Sequence, residues 1–208
     1  MKIIYIHYVK KTFSVIFFVV ISLSASNFYA QTTNIPDPNF EQALMDLGID
    51  SDGLINGLVL TSDIESIITL DVSTRQISDL TGIESFAALE ELNASINNIT
   101  SLVLDGNNNL KKLLVDDNLF LSNLEVTNNI LLKELSLGKD QPAPSNGIEN
   151  LDLSNNTALE KLHLINMVSL EYVDIKSGNN QILIDVLIYC ETHSGATCLP
   201  LTCMEVMT

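Results

Sequence analysis

The side chains that could do acid–base chemistry in this sequence are few and scattered. It contains three histidines, His7, His163 and His193. None of them lies in a pattern typical of serine hydrolases, zinc proteases or nucleotide-binding loops. Carboxylates are plentiful, but they are spaced between leucines as surface residues are, without a pair suited to hydrolysis. We therefore predict a protein that is not an enzyme and that uses no cofactor and no metal.

One acidic segment has the composition of a cation loop. In residues 50–56 (DSDGLIN), Asp50 and Asp52 precede a glycine, as at the start of an EF-hand calcium loop. A complete loop also needs a third ligand before the glycine and a carboxylate at its twelfth position, which Thr61 occupies here. An ordinary turn between two helices is the simpler interpretation, and calcium binding is the alternative.

The cysteines are Cys190, Cys198 and Cys203, all close to the C-terminus. In an exported chain two of them could close a disulfide, and free thiols are the alternative. His193 is the only other metal ligand in the segment CETHSGATC, so the sequence disfavours a zinc site.

The charge of the chain excludes one class of partner. Ten Lys and Arg residues stand against 26 Asp and Glu residues, giving a net charge of -16. Such a chain has no basic stripe that could displace counterions from a nucleic acid, and an anionic membrane surface would repel it. With 46% hydrophobic residues, it has enough apolar material for a folded core.

The N-terminal segment has the pattern of a secretory signal. Lysines at positions 2, 10 and 11 precede the charge-free apolar run FSVIFFVVISLSA. An uncleaved membrane anchor would need about 20 apolar residues, and this run is shorter. We predict a signal peptide over residues 1–30, a secreted or cell-surface location, and no integral membrane span after cleavage.

The strongest signal in the chain is an internal repeat. Pairs of apolar residues that flank one variable residue, such as Leu102/Leu104 and Leu113/Val115, recur at a nearly constant interval of about 11 residues. Each pair fits a short strand with two side chains pointing inward and one outward. The flanking residues complete the pattern LxxLxLxxNxL, in which Phe120 takes the last apolar position of its repeat.

The polar residue of this pattern has a physical role. Turned inward, its side chain can bond backbone groups that are left open where the chain leaves the strand. Stacked once per coil, these residues form a ladder. Its predicted members are Arg75, Asn97, Asn118 and Asp140.

These features resemble the leucine-rich-repeat proteins that Bacteroidetes bacteria export and, more loosely, the internalins. The stretches that carry the resemblance are NIPDPNFEQALMDLGIDSDGLINGLVLTSDIESIITLDVS, DLTGIESFAALEELNASINNITSL, LDLSNNTALEKLHL and LTCMEV. The resemblance implies a leucine-rich-repeat solenoid with short coils of about 21 to 22 residues and a small helical N-terminal cap. The cysteine common in such repeats is replaced here by Ala94, Val115, Leu137 and Leu164.

The predicted domains follow from these patterns. They are a signal peptide (1–30), a helical cap (31–66), a solenoid (67–187) and a C-terminal cap with the cysteine cluster (188–208). In the helical cap, Asp37 is the expected N-cap of a helix that has Phe40, Ala43, Leu44 and Leu47 on one face. Ser62 with Glu65 is an expected capping box of a second short helix. An insertion at 139–147 is expected to bulge from the solenoid.

The outward positions of the strands form the predicted ligand face. Its candidate residues are Asn93, Ser95, Asp116, Ser136, His163 and Ile165. Just before these strands stand Glu91, Lys112, Glu134 and Lys161, whose alternating signs predict attraction between neighbouring coils.

From this face we predict a monomeric, non-catalytic binding module for a protein or a surface polysaccharide. The alternative is a structural or adhesive spacer. That spacer would be a truncated adhesin lacking the C-terminal sorting domain that many proteins of the resembling family carry.

Overall fold

Short strands follow one another along most of the chain in a computed structural model. The structure describes residues 30–138, 146–167 and 169–175, and the backbone alone at 185–189. The helices are α1 (Pro38–Asp46), α2 (Thr61–Ile64) and a 3-10 turn at Ile83–Ser85. The strands are β1 (Thr32–Asn34), β2 (Leu58–Leu60), β3 (Thr69–Asp71), β4 (Glu91–Asn93), β5 (Ser101–Val103), β6 (Lys112–Leu114), β7 (Asn123–Glu125), β8 (Glu134–Gly138), β9 (Asn150–Asp152), β10 (Lys161–Ile165), β11 (Tyr172–Asp174) and β12 (Asp185–Tyr189).

Strands β1 and β2 form an antiparallel pair of their own, and the strands from β3 to β12 sort into two walls of a coiled stack. One wall, here the long sheet, is parallel and has the order β12-β10-β8-β6-β4-β3. The other wall consists of two separate parallel pairs, β5-β7 and β9-β11, here the short sheets. From β4 to β8, successive strands of the chain thus alternate between the walls. Each complete coil contributes one strand to either side, as in a solenoid.

The core lies between these walls and is built from the repeated leucines. Leu92, Leu113, Leu135 and Leu162 align in register along the long sheet, and each is at most 1% exposed. Leu102 and Leu151 of the short sheets join the same buried cluster. A fully buried leucine contributes roughly 1.5–3 kcal/mol to folding, so the repeat supplies the main driving force.

The N-terminal residues close the first coil. Asp37 is the N-cap of α1, and its Oδ1 accepts hydrogen bonds from the backbone of Asn39 and Phe40. Its Oδ2 accepts hydrogen bonds from the backbone of Ser78 and Asp79, which follow β3. One carboxylate therefore both starts the helix and ties it to the first coil.

Two expectations for this region are wrong. Leu47 is 44% exposed, because α1 ends at Asp46 and Leu47 is its C-cap. No capping box forms at Ser62 and Glu65, because α2 begins one residue earlier and its N-cap, Leu60, has no side chain that could cap it.

The register around Phe120 also differs from the expected pattern. Phe120 is 63% exposed and Leu121 is buried in its place. The coil has one more residue between Asn118 and β7 than the previous coil has between Asn97 and β5. Leu121 keeps the three-residue spacing to the next inward leucine, so it takes the core position.

Neither α-helix in the described part of the chain has the length and apolar character that crossing a membrane requires.

The turn at Gly106 gives a test of how closely the coils pack. A Cβ atom there would lie 2.2 Å from the carbonyl oxygen of Glu84, a backbone atom that cannot move aside alone. We expect Gly106→Ala to lower the free energy of unfolding by roughly 1–3 kcal/mol in urea denaturation.

Gly147→Ala is the matched control for this variant. The nearest atom to its added Cβ would be the Ser122 Cβ at 3.5 Å, an ordinary contact. Neither Gly106 nor Gly147 lies in the left-handed region. We expect Gly147→Ala to change stability by no more than about 0.5 kcal/mol. Equal losses in the two variants would contradict the close approach at Gly106.

Candidate functional site

The outward side of the long sheet brings several predicted site residues into one row. Backbone register pairs Asn93 with Leu114, Leu114 with Ser136, and Ser136 with His163. Asp71 precedes them in the same row, opposite Asn93. Because strands of a parallel sheet lie about 4.8 Å apart, these side chains form one continuous strip.

A second row lies two residues further along each strand or just beyond its end. It contains Ser95, Asp116 and Ile165, and the last of these pairs with Gly138 in β8. The backbone N–H of Ile96 donates to the carbonyl of Asp116, which places the Ser95 and Asp116 coils side by side. The face therefore combines carboxylate, hydroxyl and apolar groups.

Hydrogen bonds between coils fix part of this surface. The Asn93 amide donates to Asp71 at 3.2 Å, and the Ser136 hydroxyl donates to Asp116 at 2.9 Å. Ser136 is only 8% exposed, so it supports Asp116 more than it offers a surface of its own. Asn93, Asp116, His163 and Ile165 are half-buried and present the accessible part of the face.

Ion pairs border the face at the start of its strands. Glu134 contacts Lys112 at 3.1 Å and Lys161 at 3.4 Å, on the two neighbouring strands. Partial burial alone would raise the pKa of Glu134. Hydrogen bonds and charge from the two lysines outweigh that effect and hold this pKa below its ordinary value. The alternating signs thus neutralise one another here, as the sequence predicts.

The first polar ladder runs beneath this face. The Asn97 amide donates to the carbonyls of Val72 and Ala94, at 2.9 and 3.0 Å, and so joins two coils. Asn118 repeats the arrangement with Ala94 and Val115. The predicted first member, Arg75, instead pairs its side chain with Asp46. The predicted last member, Asp140, lies outside the described residues.

A second ladder, which the sequence interpretation missed, lies behind the short sheets. Asn107, Asn129 and Asn156 are each at most 1% exposed. Asn129 donates to the backbone carbonyl of Asn107 at 2.8 Å, and Asn156 donates to that of Asn129 at 2.9 Å. An apolar residue three positions before each asparagine is the signal that could have found it. These residues are Leu104, Val126 and Leu153.

The acidic segment at residues 50–56 folds as a turn closed by its own side chains. Asp52 accepts hydrogen bonds from the backbone of Leu54 and from the side chain of Asn56. Asp50 is 6% exposed, and burial raises its pKa, with the charges of Asp52 and Glu41 adding to the effect. In the ranges that the structure describes, no three His, Cys, Asp or Glu side chains form a group that could hold a metal ion.

The remaining sequence candidates fall largely outside the described residues. These are Cys190, Cys198 and Cys203, together with most of the predicted insertion at 139–147. The part of that insertion that is described, at residues 146 and 147, bonds back to the solenoid through Gly147 and the carbonyl of Leu121.

Solved structures with the same architecture come from the internalins. The chain is similar to the functional domain of InlJ from Listeria monocytogenes, which includes a cysteine ladder, with a TM-score of 0.54 and 24% identity. It is also similar to the internalin InlF from the same organism, with a TM-score of 0.53 and 20% identity.

These matches, together with the two walls and the stacked coils, decide the fold. It is a leucine-rich-repeat solenoid. The matches cover 78% and 77% of this chain but only 43% of the InlJ chain and 53% of the InlF chain. No protein-family model and no curated protein sequence matches the chain. Where InlJ includes a cysteine ladder, the described part of this solenoid has two ladders of asparagine.

The second ladder should contribute measurably to stability. The Asn107 amide donates to the carbonyls of Ile83 and Phe86, which are buried with it. We expect Asn107→Ala to lower the free energy of unfolding by about 1–3 kcal/mol, because two buried hydrogen bonds between coils are lost, each worth about 0.5–1.5 kcal/mol. Both carbonyls keep a backbone N–H as their remaining donor. The neighbouring exposed residue gives the control, Asn108→Ala, with a change below about 0.5 kcal/mol in the same urea titration. A smaller loss in Asn107→Ala than in Asn108→Ala would refute a structural role for the ladder.

The ion pairs of Glu134 predict a pH-dependent contribution to stability. Its lowered pKa means that the pairs stabilise the fold at neutral pH, and that this is lost as the pH falls through the folded-state pKa. We expect Glu134→Gln to cost no more than about 1 kcal/mol at pH 7, because both lysines are partly exposed. The difference from wild type should shrink below about pH 4. Glu149 is exposed, and Glu149→Gln is the control. If the stability difference between Glu134→Gln and wild type did not depend on pH, this assignment would be contradicted.

Proposed function

We propose that this chain is an exported, non-catalytic binding module whose long-sheet face holds a protein partner. The observation that carries the proposal is the alignment of Asn93, Leu114 and His163 in one row across neighbouring coils. Such a row offers a partner hydrogen-bonding groups and apolar contact at fixed spacing. Surface polysaccharide is the alternative ligand for the same face.

The construction of the face supports this proposal. Inward positions are occupied by leucines and ladder asparagines, which the fold requires, whereas outward positions carry no such demand. Coil-to-coil hydrogen bonds, such as that from Ser136 to Asp116, hold the outward groups before a partner arrives. A preorganised surface loses little conformational entropy on binding, which favours affinity.

The border of the face argues for a contact that is specific rather than purely electrostatic. The lysines on either side of Glu134 are already paired with it. A partner would therefore bind the carboxylate, amide and imidazole groups of the row that contains Asp71, Asn93 and His163. Export rests on the residue pattern at 1–30, and the likeness to proteins exported by Bacteroidetes bacteria rests on the sequence stretches quoted above.

The test is capture of surface proteins by the immobilised mature chain, with identification by mass spectrometry. The test variant combines Asn93→Ala, Asp116→Ala and His163→Ala. We expect it to lose most of the specific capture, at least about fivefold, because it removes three accessible polar groups of the face. Protease treatment of the surface extract used for capture should abolish the specific capture, whereas periodate oxidation of its glycans should leave the capture intact.

A matched control carries three changes on the short sheets, Asn123→Ala, Glu125→Ala and Asp152→Ala. It should capture as wild type does, and circular dichroism should show that both variants are folded. Unchanged capture by the long-sheet variant would contradict the assignment of the binding face. Capture that is lost after periodate treatment but not after protease treatment would mean that the ligand is a polysaccharide and not a protein.

A further inference from the structure

A cavity of about 390 Å3 lies on the other side of the solenoid from the long sheet. It is bounded by residues 79–84 on one side and by β5 with the turn after it on the other. Buried Leu80 and Leu102 are among its lining residues, and Val103 is 46% exposed beside them. The cavity is thus an apolar groove that runs beside a strand.

Among the residues that the structure describes, none pairs with the cavity-facing edge of β5. At β5, the carbonyl of Thr100 and the N–H of Leu104 bond to the β7 segment. Because consecutive residues of a parallel strand turn their backbone groups to opposite sides, Ser101 and Val103 direct theirs away from β7. Within the described ranges, no backbone hydrogen bond joins those groups to residues 79–84 on the cavity's far side.

The reason for the open edge lies in the first coil. Where later coils place a strand of the short sheets, residues 79–84 form a turn and the start of a 3-10 helix. Gly82 has a φ of 103°, and a Cβ atom at this position would lie 2.6 Å from the carbonyl oxygen of Asn34. The cap therefore holds this segment away from strand geometry, and β5 keeps one row of backbone donors and acceptors unused.

The rim of the cavity is acidic. Asp79, Glu84 and Asp105 are exposed lining residues, and none of them takes part in the ion pairs of the described residues. Each uses one carboxylate oxygen within the protein. Asp79 accepts from the backbone of Thr81, Glu84 from that of Gly82, and Asp105 from the amide of Asn128. No cation of the described chain thus compensates the charge of the rim.

These three features together specify one kind of ligand. We propose that the groove binds an extended, basic peptide segment of a partner protein, which adds a strand to the free edge of β5. The peptide backbone would pair with Ser101 and Val103, and its Lys or Arg side chains would reach Asp79, Glu84 or Asp105. This is strand addition to a sheet edge, with the carboxylates setting the preference for basic residues. The site is separate from the long-sheet face and does not depend on it.

The test measures the affinity of the full chain for a fluorescein-labelled peptide at low salt. The peptide alternates Lys and Thr, and both of its termini are blocked. The test variant combines Asp79→Asn, Glu84→Gln and Asp105→Asn, in which each amide oxygen can still accept the internal hydrogen bond. We expect its affinity for the peptide to fall at least about tenfold. The matched control removes the same charge elsewhere, through Glu149→Gln, Asp152→Asn and Glu171→Gln, and should bind within about twofold of wild type.

Two further peptides separate strand pairing from simple charge attraction. In each of these peptides every second residue carries an N-methyl group, and the two peptides differ in which set of alternate residues is methylated. One of the two therefore lacks the N–H groups that would face β5. That peptide should bind at least about tenfold more weakly, and the parent peptide should slow hydrogen exchange at the Val103 amide.

Three results would overturn the proposal. The first is unchanged affinity in the triple amide variant. The second is equal binding of both N-methylated peptides, which would mean that the backbone edge is not used. The third is equal binding of a peptide with Glu in place of Lys.

Discussion

Buried asparagine amides bonded from coil to coil are the interaction on which this structure depends. A chain that turns after every short strand cannot pair all of its inward backbone groups within a sheet, and an unpaired buried carbonyl costs about 1–3 kcal/mol. Asn97 and Asn118 supply donors to such carbonyls behind the long sheet. Behind the short sheets, Asn107, Asn129 and Asn156 add a donor from the next coil to carbonyls that already accept a backbone N–H. The leucines supply the driving force, and the amides make the turns between them compatible with a dry interior.

This division of labour explains why the surface can carry a function. Because leucine and asparagine occupy the inward positions, the outward residues are constrained only by their neighbours across the strands. The long sheet uses that freedom for a mixed row bordered by ion pairs. The short sheets stop at β5, because the cap holds residues 79–84 away from strand geometry, and this leaves an apolar groove with an acidic rim. Both surfaces result from the stacking of coils. The long-sheet face forms where the stacking is regular, and the groove forms at the first coil, where the stacking begins.

Much of the fold follows from the sequence, because its strongest determinants are local. The leucine spacing fixes which residues point inward, and Asp37 before Pro38 fixes the start of α1. The pattern failed at Phe120, because one additional residue after Asn118 moves the core position to Leu121, and a consensus does not register a single insertion. The groove beside β5 could not be predicted either, since it arises from contacts between the cap and residues 79–84 that are distant in sequence. The outward row was predictable as a set, but the burial of Ser136 beneath Asp116 depends on how two coils meet.

The donor pattern of the second ladder has a consequence for how such a chain can change in length. Asn129 bonds to the backbone of Asn107, and Asn156 bonds to the backbone of Asn129, so each link needs only the coil before it. Duplicating one whole coil in the gene would therefore reproduce both sides of every link, whereas duplicating half a coil would deprive carbonyls of the donor from the next coil and leave them only a backbone N–H. The stretch from Asn129 to Asn156 is longer than the stretch from Asn107 to Asn129, so extra residues are accommodated when they lie between links. Evolution can thus lengthen this protein in whole turns and decorate it between them.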